Sequence, residues 1–250
     1  MDRSSFHRTF KTAGPVVTPV IHVVDLAQTL RNISHVAKLG APGVFLINHD
    51  FSVEEFLPIL RAARGACPDT WMGVNFLAQP GRIAFPILGQ LAREGCLIDA
   101  YWADDACMDE REPQQTEAEA ISAIRAESTW QGIYFGGVCF KKQRPVDPAL
   151  NEYSARIARP FMDVVTTSGV ATGHATDMTK IAEFRRGLGN AAMAIASGVT
   201  PDNAALYAAD VDCFLVATGI NHPGDFYNID PARLSALLDL CRAYGVPRHD

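Results

Sequence analysis

Eight times along the chain, a short run of β-branched or aromatic residues is followed by a longer segment with apolar residues at helical spacing. The short runs lie at 16–24, 43–47, 71–77, 97–102, 132–140, 163–167, 192–196 and 211–217. The helical patterns lie at 26–39, 53–66, 83–94, around 117–127, around 150–158, and at 178–188, 202–208 and 231–244. Such alternation implies parallel strands joined by helical crossovers. Val44-Phe45-Leu46-Ile47 and Phe214-Leu215-Val216 are apolar at every position rather than every second one. Strands covered on both faces read this way. Eight units within 250 residues fit a closed (β/α)8 barrel better than an open doubly wound sheet, and the sequence predicts one barrel domain over 1–250.

Several boundaries have a local cause. Asp50-Phe51-Ser52 supplies a cap ahead of the acidic first turn, Glu54-Glu55, of the second helical segment. Thr200-Pro201 and Asp230-Pro231 each read as a cap followed by proline at the first helical position. Gly40, Gly95, Gly189 and Gly245 fall just after helical patterns, where a left-handed residue ends a helix. The longest polar interruption, 104–113, is expected to reach over the barrel mouth.

The composition narrows the function classes. Charged residues make up 20% and hydrophobic residues 48%, a balance that supplies a large core and argues against disorder. A net charge of -6 without a basic cluster argues against a nucleic-acid surface. No apolar run reaches the roughly 18 residues of a membrane helix, so no membrane partner is expected. Arg3, His7, Arg8 and Lys11 are followed by no apolar stretch, so a signal peptide is not predicted. The six cysteines are widely spaced and read as unpaired, mostly buried thiols, which points to the cytoplasm. A homo-oligomer is compatible with all of this.

Barrels of this type carry their active sites where the strands end. The polar residues expected there are His22, then Asn48, His49 and Asp50, then Asn75, then Asp104 and Asp105, then Lys141 and Lys142, then Thr167, Ser168 and Thr172, then Ser197, and finally Thr218 and Asn221. Some of these must be helix caps and solvated loop residues. The segments Ser197-Gly198-Val199-Thr200 and Thr218-Gly219 end the last two strands with small residues whose backbone N–H groups can approach a ligand closely. A helix N-terminus just beyond would favour an anion, so a phosphate is expected there. Read alone, Ser197-Gly198 is equally a tight turn and Thr200 a cap. The loop from Thr166 to Asp177, with Ser168 and Gly173, is polar and tightly turning and is expected to wrap the same ligand. Asp177 reads either as a catalytic carboxylate or as the cap of the next helix.

Lys141, after Val138-Cys139-Phe140, is placed to neutralise an anion, form a Schiff base or act as an acid. Asp104 suits a general base. His22, His49 and His174 lie on separate units without metal-ligand spacing, so no metal is predicted, and no cofactor either. No nucleophile elbow is present.

Six segments together resemble the BtpA family, a set of TIM barrels related to ribulose-phosphate-binding barrels. They are Pro19-Val20-Ile21-His22, Gly73-Val74-Asn75-Phe76-Leu77, Val138-Cys139-Phe140-Lys141, Thr172-Gly173 through Asp177, Ser197 through Asn203, and Asn228-Ile229-Asp230-Pro231. The chain departs from that pattern where His22 runs straight into Val23-Val24-Asp25 and where Trp102 stands in place of a basic residue. The resemblance implies a barrel without fixing a reaction.

The expected function is an enzyme acting on a phosphorylated sugar or nucleotide-like metabolite, by isomerisation, glycosyl transfer or C–C cleavage. Lys141 and Asp104 would be its acid–base pair, with His22 and Asn75 orienting the reacting part. Ser197, Gly198, Thr218 and Gly219 would hold the phosphate. Two alternatives are an assembly or regulatory factor that keeps the anion site, marked by a large exposed apolar patch, and a metal-dependent hydrolase using Asp104, Asp105 and the histidines.

Overall fold

Eight parallel strands close into a barrel in sequence order, β1 pairing with both β2 and β8. The computed structural model describes residues 1–244. The strands are β1 (Val16–His22), β2 (Gly43–Ile47), β3 (Trp71–Asn75), β4 (Ala100–Ala103), β5 (Ile133–Gly137), β6 (Val164–Thr167), β7 (Met193–Ala196) and β8 (Cys213–Val216). A short helix, α1 (Arg3–Phe10), precedes them. The crossovers are α2 (Leu26–Lys38), α3 (Val53–Ala66), α4 (Gly81–Arg93), α5 (Thr116–Ser128), α6 (Asn151–Ala158), α7 (Met178–Leu188) and α8 (Ala204–Tyr207), and α9 (Pro231–Tyr244) follows β8. The (β/α)8 barrel expected from the alternation is the fold observed.

The period-two geometry of a strand divides the core. Phe45 and Ile47 of β2, Ala100 and Trp102 of β4, Ala194 and Ala196 of β7, and Cys213 and Leu215 of β8 belong to one buried cluster. Their alternates, Val44, Leu46, Tyr101, Met193, Ile195, Phe214 and Val216, belong to a larger one shared with the helices. The first cluster fills the barrel and the second seals the helices onto it, which is why these strands lack a polar face.

Local chemistry sets most element ends. Ser52 and Glu55 form a reciprocal capping box at α3. Asp230 caps α9, accepting from the Ala232 N–H at 2.9 Å ahead of the first turn. Gly40, Gly95 and Gly189 take positive φ just past α2, α4 and α7; Gly245 lies outside the described residues.

Three expectations fail, and one element was not foreseen. Strand β4 begins at Ala100, not at 97, because Leu97 is 62% exposed in the connection after Gly95. Helix α8 is a single turn starting at Ala204: the Asn203 side chain occupies the Thr200 N–H and the Gly198 carbonyl, and 201–203 form a turn instead of a proline-led helix start. Of the 104–113 loop, only Asp104 reaches the mouth; 105 and 107–110 line a separate lateral cavity with Gln143 and Arg144. Finally, helix α1 has no counterpart in the eight-unit reading. It packs Phe6, fully buried, against Phe135 at the N-terminal end of the barrel.

All six cysteines are unpaired; three are buried, and Cys67, Cys107 and Cys139 are half-buried. No helix among the described residues is long and apolar enough to cross a membrane.

Candidate functional site

The carboxyl ends of the strands surround a small cavity of about 60 Å³ that opens to solvent. Its floor is Val20, Ile47, Trp102, Ala196 and Leu215, the last inward-facing apolar residues of their strands. Its polar wall brings together His22, His49, Asp104, Lys141, Lys142, Thr172, Gly173, Ser197, Gly198, Thr218 and Gly219. Residues from seven separate strand ends thus share one space.

On the side of β7 and β8, the wall is backbone. Among the described residues, the N–H groups of Gly198, Val199, Thr218 and Gly219 donate to no protein acceptor. Asn203 Nδ2 donates to the Gly198 carbonyl at 2.8 Å. Because a trans peptide sets C=O and N–H on opposite sides, this turns the Val199 N–H away from Asn203. Two glycines are required here. A Cβ on Gly219 would fall 1.8 Å from the Val199 carbonyl oxygen, and one on Gly198, at φ +66, would fall 2.2 Å from the His174 carbonyl. Ser197 holds φ 143, a conformation that a residue with a side chain seldom takes. Its hydroxyl donates to the Ala171 carbonyl at 2.7 Å and so ties the β6 loop to β7. Successive free amides around a residue of positive φ form an anion-binding concavity. The helix dipole expected beside it is missing, since α8 is one turn long.

Across the cavity lies the titratable wall. Asp104 is 6% exposed. Its Oδ1 accepts from Asn75 Nδ2 at 3.1 Å, while Oδ2 has no hydrogen-bond partner and lies 3.9 Å from Lys142 Nζ. Burial pushes its pKa up, against the opposing pull of Lys142, Asn75 and Lys141. Lys141 is held below the ordinary lysine value by burial and by Lys142, with Asp104 acting the other way. Burial and the neighbouring His49 lower the His22 pKa to about 4, so its imidazole is neutral near pH 7.

The structure separates the sequence candidates. His22, Asp104, Lys141, Ser197, Gly198, Thr218, Gly219 and Gly173 all line the mouth. Asn75 does not reach it; fully buried, it holds Asp104 from behind. Ser168 is also fully buried, and its hydroxyl accepts from the Lys141 N–H at 2.9 Å and donates to the Gly169 carbonyl. It therefore fixes the base of the lysine and cannot serve as a phosphate ligand. Asp177 lies outside the mouth and caps α7, accepting from the Thr179 N–H at 2.7 Å. Of the other strand-end residues, Asn48 serves the backbone of Phe51 and Leu77. Asp105 accepts from the Cys107 N–H and from Gln143.

Two contributors, Phe226 and Gln143, lie outside the sequence reading, and a third, Trp102, enters it only as a departure from the family pattern. Phe226 stacks on His22, with ring centroids 3.8 Å apart. Its loop is held in place by Gln28 and Asn32, which donate to the Tyr227 carbonyl, and by the Tyr227 hydroxyl on Asp50. Trp102 lines the cavity with its buried indole N–H unpartnered. Gln143 Nε2 donates to the Gly137 carbonyl and to the Asp104 carbonyl, tying the ends of β4 and β5 together. The aromatic pair at 226–227, in a turn after the last strand, was the available signal for the first. The others depend on tertiary placement.

Among the described residues, no three His, Cys, Asp or Glu side chains gather as a metal site. Asp104, Asp105 and the three histidines of the hydrolase alternative are not brought together, because Asp105 is turned to Gln143 and His174 sits in the β6 loop.

No family model matches the sequence, and no curated protein matches it. Solved structures do. The chain is similar to tryptophan synthase subunit alpha from Legionella pneumophila at TM-score 0.64 and 14% identity, covering 96% of this chain and 98% of that one. It is similar to phosphoribosyl anthranilate isomerase from Thermus thermophilus at TM-score 0.56 and 17% identity, covering 90% and 96%. A monomeric form of the Thermotoga maritima phosphoribosylanthranilate isomerase aligns at TM-score 0.61 and 15% identity, covering 92% and 99%. At these identities the shared property is the fold.

Proposed function

We propose that this protein is an enzyme acting on a phosphorylated small metabolite, with the phosphate on the free amides of Gly198, Val199, Thr218 and Gly219 and the reacting part between Asp104 and Lys141. The observation that carries this reading is the pairing of two unlike walls in one cavity: unoccupied backbone donors on one side, and a buried acid and amine of shifted pKa on the other. Groups perturbed in this way inside a cleft mark reactive sites. Asn75 and Ser168 act as positioning residues, through Asp104 and the Lys141 backbone. Two of the structural neighbours are named for a phosphoribosyl compound. Among the alternatives, an assembly factor finds less support, because the large exposed apolar side chains fall on separate segments such as Ile83, Leu97, Val170 and Leu206.

Thr218 is exposed at the rim. Thr218→Asp should leave the fold intact and place a carboxylate beside the bound anion. Calorimetric titration with ribose 5-phosphate should show affinity falling at least about tenfold, or about 1.4 kcal/mol. Equal affinity in the variant, or no binding of any sugar phosphate by the wild type, refutes this site.

A further inference from the structure

We propose that Lys141 is an imine-forming lysine, whose amine condenses with the aldehyde or ketone carbonyl of a sugar phosphate held by the β7 and β8 turns. This rests on the phosphate end assigned above and specifies the class of substrate: a phosphorylated carbonyl compound.

The three lysines nearest this end of β5 are treated differently by the fold. Lys180 Nζ is consumed by the carbonyls of Cys139 at 2.6 Å and Ser168 at 2.9 Å. Lys142 Nζ lies 3.9 Å from Asp104 and is partly exposed. Lys141 Nζ, among the described residues, meets no carboxylate within ion-pair distance and no hydrogen-bond acceptor; it lies 5.6 Å from the centroid of the Phe140 ring. This one is drawn into the cavity wall, where burial outweighs the pull of Asp104 and Lys142 adds to it, an arrangement that favours the free amine.

Its base is rigid. The Lys141 N–H is tied to Ser168, the Phe140 N–H is tied to Gln143 Oε1 at 3.0 Å, and Cys139 takes φ 48. Three constraints on consecutive residues set the direction in which the side chain leaves the strand end. The acid needed for the second half of the reaction shares the cavity. Asp104 Oδ2 is buried and unpartnered, and burial favours its protonated form.

The chemistry balances without a further reactant. The Lys141 lone pair attacks the carbonyl carbon, a C–N bond forms, and the C=O π pair moves to oxygen, which takes up the proton lost by nitrogen. Asp104 then gives its proton to that hydroxyl. The C–O bond breaks, water leaves, and the nitrogen lone pair closes the protonated imine. Nothing is oxidised or reduced.

The test uses the full chain with glyceraldehyde 3-phosphate, dihydroxyacetone phosphate or ribose 5-phosphate, each with sodium borohydride, followed by intact-mass and peptide mapping. One reduced adduct per chain is expected, mapped to Lys141. It should be suppressed by inorganic phosphate, lost in Lys141→Arg, which keeps the charge but cannot form the imine, and retained in Lys142→Arg. Circular dichroism of the two variants checks folding, and the wild-type adduct needs no variant. Binding of a sugar phosphate without an adduct at Lys141 overturns the imine and leaves the phosphate site standing. Adducts spread over surface lysines and unchanged in Lys141→Arg overturn it equally. Absence of binding by all three compounds and by phosphate removes both readings.

Discussion

The two ends of the barrel each bury an aspartate and treat it in opposite ways. At the N-terminal end, Asp212 is fully buried and accepts from Arg3 Nε at 2.7 Å, His7 Nε2 at 2.9 Å, Arg185 Nη2 at 3.1 Å and the Met193 N–H at 2.9 Å. At the C-terminal end, Asp104 is nearly as buried, yet it has one side-chain hydrogen bond and a bare oxygen. Burial raises both pKa values, but at Asp212 the His7, Met193 and Arg3 contacts outweigh it and hold the carboxylate below its ordinary range. At Asp104 burial prevails. One carboxylate is spent on stability, fastening α1 to the barrel floor. The other keeps a bare oxygen, at the end where barrels place their chemistry.

The largest expected effect tests the floor. Asp212→Ala leaves Arg3, His7 and Arg185 without their shared buried anion and should cost about 3–5 kcal/mol in urea denaturation. Phe6→Ala, which leaves a cavity beside Phe135, should fall in the same range. Asp104→Asn keeps the shape and removes an under-satisfied charge, so its stability should equal or exceed that of the wild type near neutral pH while turnover is lost. A destabilisation by Asp104→Asn as large as that by Asp212→Ala would erase the distinction between the two ends.

Acid should act on the two buried aspartates with opposite signs. Asp212, with its pKa lowered by folding, contributes stability present above the ordinary aspartate value and lost as pH falls through the folded one. Asp104, with its pKa raised, contributes stability present below the ordinary value and lost as pH rises through the folded one. The wild type should therefore lose ground to Asp104→Asn as pH climbs above about 4. His22 adds to the acid loss: its folded pKa of about 4 lies below the unfolded value of 6.5, so stability falls as pH drops between the two, by up to about 3 kcal/mol. Denaturation curves across that window should be flatter for His22→Asn; an unchanged slope would mean that the imidazole is not held neutral by its burial.

The same contrast explains what could be read from the sequence. Apolar runs and helical spacing are local, so every strand and all the long crossovers were legible, along with the glycines after α2, α4 and α7. The mouth residues were legible because barrel topology converts "end of a strand" into a place. Three kinds of feature were not. Helix α1 is polar and basic outside Phe6 and Phe10, and it is fastened by Asp212, 205 residues from His7 and 209 from Arg3 in sequence. Ser168 and Asp177 are hydroxyl and carboxylate residues in a polar loop, and only hydrogen bonding separates a backbone clip or a cap from a ligand contact. Phe226 and Gln143 enter from loops whose course the strand pattern does not specify.

The smallest effect concerns Trp102, the one indole in the mouth. Its ring packs edge-on against Phe45 and Phe140, at 6.2 Å and 5.9 Å between centroids, so most of its burial energy is apolar. Its N–H is buried without a partner, a condition that costs free energy unless a ligand accepts from it. Trp102→Phe keeps an aromatic ring and removes the orphan donor; the relief offsets part of the lost packing, so stability should change by no more than about 1 kcal/mol. Binding of inorganic phosphate should be unaffected, because the anion would sit on the β7 and β8 amides. Binding of ribose 5-phosphate should weaken roughly fivefold, the worth of one neutral hydrogen bond. If phosphate and sugar phosphate weaken together, Trp102 acts on the anion end and the two walls of the cavity are not independent. If neither weakens, the unpartnered donor belongs with the structural features of the barrel and not with its ligand.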